Sequence, residues 1–199
     1  MNTAFCFDLD GTVTRDEILP ILSREIGLFE EIAALTEATI KGVIPFRNSF
    51  LLRCRLLSEI PVSRVQEIVK EINLHEEIAR FIQSNCDRSF IITGNLDVWV
   101  CGLVKSLGCR CLSSRALVEG DKLKSIGHVL NKGAAVREIR GQFGKVVAIG
   151  DGMGDVPMFE EADIRVAFGG THQPVQTLIE FSDFVTYNEK SLCRLLNMQ

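Results

Sequence analysis

The ten residues Phe5-Cys6-Phe7-Asp8-Leu9-Asp10-Gly11-Thr12-Val13-Thr14 constrain the fold more than any other stretch of this chain. Ala4 to Phe7 is a short apolar run, the pattern of a strand buried on both faces of a parallel sheet. The run turns polar at once, with two carboxylates one residue apart, a glycine and two threonines. In an extended backbone alternate side chains share a face, so Asp8 and Asp10 point one way and Leu9 the other. Open α/β sheets bind ligands just beyond the carboxyl ends of their strands. Two carboxylates this close repel unless a cation lies between them or one holds a proton. The stretch therefore predicts a liganded strand end, with an ordinary Asp-Gly turn as the alternative.

With 199 residues the chain has room for one full-sized domain, or for a core carrying a smaller insert. A net charge of −4 without any long basic cluster argues against nucleic acid as a partner. No apolar run approaches the length of a membrane span, and Asp8, Asp10 and Asp16 fall where a signal peptide would need a basic start and an unbroken apolar segment. The expectation is a cytoplasmic protein with no membrane partner. Seven cysteines scattered through apolar stretches fit reduced, buried thiols in that compartment. Cys109-Arg110-Cys111 is too tightly spaced for a zinc ribbon and has no second pair.

From about Asp16 to Leu74 only helical periodicity is present. Ile18, Leu22 and Ile26 line a first helix that Gly27 is placed to end. A second helix runs to about Gly42, a third begins near Pro45, and a fourth carries Val65, Ile68, Val69 and Ile72 on one stripe. Ser63-Arg64-Val65-Gln66 fits a capping box at its start. From about His75 helices and strands alternate: Phe90 to Thr93, short strands from Arg110 to Val129 turned at Glu119-Gly120-Asp121, Lys145 to Ile149, Ile164 to Phe168, and Phe184 to Thr186. Such alternation predicts an α/β fold with a doubly wound parallel sheet. The expected division is a core of residues 1–13 and 75–199 with a helical insert, residues 14–74, after the first strand.

Three of the apolar strands end in polar clusters: Asp8-x-Asp10, Thr93-Gly94, and Asp151 with Asp155. As sheet neighbours they would meet at one edge. Thr93 alone could begin a turn, and Asp155 alone could be a helix N-cap. Asp151 lies between two glycines, which suits close backbone approach to a ligand. Lys132 follows Asn131, a good N-cap, and so falls in a first helical turn, where the helix dipole disfavours a cation. Its placement there predicts an anion or carboxylates nearby. Four carboxylates, a lysine, a hydroxyl and loop glycines form a hard-oxygen set suited to Mg²⁺ and a substrate phosphate. The matching chemistry is phosphoryl transfer.

In this order the clusters resemble the motifs of the haloacid dehalogenase superfamily: DxDGT, a strand ending in Ser or Thr, a lysine, and GDGxxD. The resemblance spans nearly the whole chain and implies the following roles. Asp8 attacks phosphorus and becomes an aspartyl phosphate. Asp10 protonates the leaving oxygen and then activates water. Thr93, Gly94 and Lys132 hold the phosphoryl oxygens. Mg²⁺ is held by Asp8, Asp10 and Asp151, with Asp155 in its surrounding shell. An aspartate at position 10 points to a phosphatase rather than a dehalogenase.

By the same resemblance the helical insert is a cap over the substrate. On its third helix Phe46, Phe50 and Leu57 share a narrow face with Arg53 in the middle, while Arg47 and Arg55 point elsewhere. A cation centred on an apolar stripe is costly unless an anion satisfies it, pairing with a glutamate being the alternative. Thr14-x-x-Glu17 would make a capping box, but Pro20 would then sit inside the helix, so the helix is expected to start later and leave Glu17 free. Glu17, Phe46 and Arg53 resemble the substrate-binding residues of the phosphoserine phosphatase family, which implies Glu17 facing an ammonium and Arg53 a carboxylate. Two positions differ: that family's hydroxyl-Gly-Gly-Phe run is Thr93-Gly94-Asn95-Leu96 here, and Gly154 replaces an asparagine. The reading is a Mg²⁺-dependent phosphomonoesterase acting on phosphoserine or a similar small phosphorylated amino acid. The alternatives are a phosphotransferase, a phosphatase for another small phosphate, and a non-catalytic receiver-like module, which would lack the helical insert.

Overall fold

Strand β1, Thr3–Phe7, lies at the centre of a seven-stranded sheet in the computed structural model, which describes residues 2–199. The helices α1 Ile18–Ser23, α2 Phe29–Ile40, α3 Phe46–Leu57 and α4 Val62–Lys70 follow before the chain returns to the sheet. Then come α5 Glu76–Ser84, β2 Ser89–Leu96, α6 Asp97–Leu107, and the hairpin of β3 Arg110–Glu119 with β4 Lys122–His128. The remainder is α7 Lys132–Arg140, β5 Lys145–Gly150, α8 Val156–Glu160, β6 Ile164–Phe168, α9 Gln176–Glu180, β7 Phe184–Thr186 and α10 Glu189–Leu196. The strand order is β4-β3-β2-β1-β5-β6-β7, parallel except for β4.

The apolar run of β1 is continuous because both faces are covered. Phe5 and Phe7, with Ile91, Val147 and Ile149, pack beneath α5, α6 and α10, in a core that continues into α1, α3 and α4. Ala4 and Cys6, with Phe90, Ile92 and Ala148, face α7, α8 and α9 on the other side. Helices on both faces of a mostly parallel sheet make the doubly wound architecture that the alternating pattern predicts. The chain winds outward from β1 through β2 and β3, then crosses to β5 on the other side. The strand order thus reverses between β1 and β5, the place where such sheets bind ligands.

Residues 14–74 leave and rejoin the sheet at one point. Thr14 bridges Leu74 in antiparallel fashion, flanked by hydrogen bonds from Arg15 N to Asn73 O (2.8 Å) and from His75 N to Val13 O (2.9 Å). Local departures from the sequence expectations have tertiary causes. The capping box at Ser63 does not form, because α4 already starts at Val62; Asp121, at the β3–β4 turn, instead accepts from the Ser63 N–H at 2.8 Å. Pro45 precedes α3 as its N-cap rather than opening it. Strand β2 runs past Thr93 to Leu96, with a register shift against β3 that leaves Gly94 and Asn95 as a bulge.

Candidate active site

The carboxyl ends of β1, β2 and β5 meet around a cavity of about 420 Å³ that also touches α2 and α3. Parallel pairing sets this alignment: Phe7 lies level with Ile91 and Ile149, so Asp8 and Asp151 leave the sheet side by side. Lys132, at the start of α7, reaches between two carboxylates. Its ammonium donates to Asp8 Oδ1, and to Asp155 Oδ1 at 2.6 Å. Asn131 caps that helix by accepting from Ala134 N at 2.9 Å, as its position predicts. The other oxygen of Asp155 accepts from the backbone N–H groups of Asp151 (2.9 Å) and Gly152 (3.1 Å), so Asp155 both shapes its loop and anchors the lysine.

Ligand atoms of Asp8, Asp151 and Asp155 all lie within 4.8 Å of one another, a group able to hold a metal ion. Burial, followed by the negative charge of Asp155, drives the Asp8 carboxyl well above the usual range, although Lys132 opposes this. Asp151 is pushed up to about 6, chiefly by burial. Burial also works against the Lys132 ammonium, but the Asp155 and Asp8 charges outweigh it and raise its pKa. An all-oxygen set of buried carboxylates crowded this closely fits a hard divalent cation.

The Asp10 carboxylate is not part of that group. Its Oδ1 accepts from the Ile18 N–H at 2.9 Å, at the start of α1, and its Oδ2 accepts from the Asn95 side-chain amide. It still lines the same cavity, and burial together with the Glu17 charge raises it to about 7. Thr93 is fully buried behind Gly94 and Asn95, which line the cavity in its place. Gly94 leaves room for the Phe46 ring, which a Cβ there would displace. Gly11 has a φ of +72°, and a Cβ on it would come within 3.0 Å of Asp151 Oδ2. Only glycine fits there.

Arg53 is 4% exposed and its bonds go to neutral oxygens: Thr36 Oγ1 at 2.7 Å and Ser49 O at 3.4 Å. Burial lowers its pKa against the pull of Asp10. The expected glutamate alternative is not realised, for among the described residues no carboxylate pairs with it. Phe46 stacks on Phe50, and both line the cavity with Arg53. Arg47 lines it as well, contrary to the helical-wheel expectation.

Glu17 ends just before α1 and caps nothing with its side chain, as Pro20 implies. It is not free, however. His172 Nε2 lies 3.3 Å from Glu17 Oε1 and 2.7 Å from Asp151 Oδ2. Burial disfavours the imidazolium, but these two carboxylates prevail and raise His172 to about 11. Nothing in the sequence marks His172, a lone histidine in the loop after β6. Thr12, which donates to Asp151 Oδ1 at 3.1 Å, sits inside the first motif and was legible only as part of it.

A family model described as haloacid dehalogenase-like hydrolase matches residues 5–160. The chain belongs to that family. It is 29% identical to a phosphoserine phosphatase of Methanocaldococcus jannaschii, over 81% of this chain and 83% of the relative. Against a phosphoserine phosphatase of Lactococcus lactis the identity is 27%, over 81% of each. A solved structure described as a phospho-aspartyl intermediate analogue of phosphoserine phosphatase superimposes with a TM-score of 0.83 at 25% identity, covering 98% of both chains. With its fold, its site and these relatives, the chain is a phosphatase, similar to the phosphoserine phosphatases.

Proposed function

We propose that the protein is a Mg²⁺-dependent phosphomonoesterase that works through an aspartyl phosphate on Asp8, with phosphoserine or a similar small phosphorylated amino acid as its substrate. One observation carries this reading. A carboxylate cluster with a buried lysine shares one cavity with a buried arginine that pairs with no carboxylate among the described residues. The first end suits a phosphoryl group and the second a carboxylate. The names of the relatives point the same way.

Residues 1–13 and 75–199 would form the catalytic core and residues 14–74 the cap. Asp8, Asp10 and Asp151 would hold the cation, which would supply positive charge for the phosphate, and Asp155 would support them from the surrounding shell. Lys132 and the Gly94 backbone orient the phosphoryl oxygens, with Thr93 fixing the strand end beneath them. An Asp8 oxygen attacks phosphorus as the bond to the substrate oxygen breaks. Asp10, raised to about 7, retains enough of its proton near neutrality to pass it to the departing alcohol. It then takes a proton from the water that cleaves the aspartyl phosphate, which returns Asp8 and releases phosphate. Arg53 would meet the substrate carboxylate, Phe46 would wall the chamber and Glu17 would face the ammonium. The seven cysteines, all free, fit a reducing cytoplasm. No helix among the described residues is long and apolar enough to cross a membrane.

Purified protein with Mg²⁺ should release phosphate from phosphoserine, and a chelator should stop it. Asp8→Asn should fold, keep its melting behaviour to within a few degrees, and lose turnover. An Asp8→Asn protein with near-normal rates would remove the covalent route.

A further inference from the structure

The bulge in β2 puts a side chain where the related motif has a glycine. Thr93 pairs with Ser113 and Leu96 with Ser114, so Gly94 and Asn95 are squeezed out of the ladder toward the cavity. Bulges re-aim side chains in this way. Asn95 is 4% exposed. Both protons of its amide nitrogen are used, one on Asp10 Oδ2 and the other on Thr93 Oγ1 at 3.3 Å, and its backbone N–H also bonds Thr93 Oγ1, at 3.1 Å. Its Oδ1, by contrast, is buried with no partner. Turning the amide over would satisfy that oxygen through the threonine hydroxyl but set it against the Asp10 carboxylate. The anionic acceptor therefore decides the orientation.

We infer that Asn95 is a positioning residue for Asp10: braced on Thr93, its carboxamide fixes the Asp10 carboxyl group in the attitude needed to exchange a proton with the leaving oxygen. The inference rests on the proposed role of Asp10. With Ile18 N–H on one oxygen and Asn95 on the other, the carboxyl group is held from both sides. Asp10 is thereby gripped between the first residue of α1 and the bulge of β2, and removal of Asn95 frees one of its two oxygens.

The test compares Asn95→Ala and Asn95→Asp with the wild type, each with Mg²⁺. The aspartate variant keeps the shape of the side chain but sets a second carboxylate against Asp10 in place of the N–H donor, so the alanine variant, which adds no charge, is the reference for lost positioning. Each variant is assayed on phosphoserine and on para-nitrophenyl phosphate, with β-glycerophosphate as the alkyl ester if phosphoserine is not turned over. The quantity compared is kcat/KM, which reports steps up to departure of the leaving group. An aryl leaving group needs little help from a proton and an alkyl one needs much. Misplacing a catalytic group costs on the order of 100-fold, so kcat/KM on the alkyl ester should fall about 10- to 100-fold in both variants, and several-fold less on the aryl ester. A purely structural defect lowers both esters alike. Equal losses on the two esters, or wild-type kcat/KM in Asn95→Asp or Asn95→Ala, overturn the inference. A wild type inactive on every phosphomonoester would instead overturn the reading of the site on which it rests. Thermal melts identify a variant that does not fold, and the other variant then carries the comparison.

Discussion

A guanidinium as deeply buried as that of Arg53, bonded among the described residues only to a hydroxyl and a carbonyl, has lost most of its hydration without an ion pair to replace it. Such an arrangement is costly in the free protein and favourable once a carboxylate is bound. Loss of one partner of a buried charge pair costs about 2–5 kcal/mol. Arg53→Ala should therefore lower kcat/KM about 30-fold to several thousand-fold on phosphoserine, and far less on an aryl phosphate without a carboxylate. Steady-state kinetics on the two substrates decide it, and equal losses would make Arg53 a structural residue. Its buried place on the cavity wall was legible because it interrupts an apolar stripe at helical spacing. His172 was not, since its partners Glu17 and Asp151 are joined to it only by the fold.

Helix α3 meets the end of β2 closely where Phe46 covers Gly94. The Phe46 ring rests where a side chain on Gly94 would be, and it stacks on Phe50 with centroids 5.3 Å apart. Gly94→Ala should thus push α3 outward. The expected outcome is a KM for phosphoserine raised by about 10-fold or more, with a melting temperature lowered only modestly, since the displaced ring lies at the cavity wall. Substrate titration and calorimetry on the same sample test this, and an unchanged KM would refute it. The strands themselves were readable as apolar runs of the right length ending in Asp, Thr or Gly. The bulge at Gly94-Asn95 was not, because it depends on the register of β2 against β3, which strand patterning does not specify. The cap of α4 was misread for a similar reason: Asp121 supplies from a distant hairpin what Ser63 could have supplied locally.

Across the whole molecule the crowded carboxylates link stability to pH and to metal. Asp10 and Asp151 rise from an ordinary 3.8 to about 7 and about 6. Groups raised in the folded state contribute stability that is full below their unfolded pKa and lost as pH climbs through the folded values. His172, raised to about 11, acts in the same direction at higher pH. The metal-free protein should therefore melt at a lower temperature at about pH 8 than at about pH 5. Mg²⁺ competes with protons for the same oxygens, so the stabilisation it confers should grow over that window. Calorimetry with chelator and with Mg²⁺ checks both slopes, and a metal-free melting temperature that rises across the window would contradict them.

The bridge between Thr14 and Leu74 has a different kind of consequence. The chain departs from the core and comes back through two residues that are already paired. Whatever is threaded between them closes a loop whose ends are held together, and the entropic cost of closure grows only with the logarithm of its length. Closure alone therefore sets little limit on the length of that excursion, and its shape is constrained instead by the faces of α1, α3 and α4 that share the core. Selectivity for the organic half of a substrate could be rewritten by grafting a different bundle beyond the start of α1, provided that Glu17 and the Ile18 N–H, which hold His172 and Asp10, are kept.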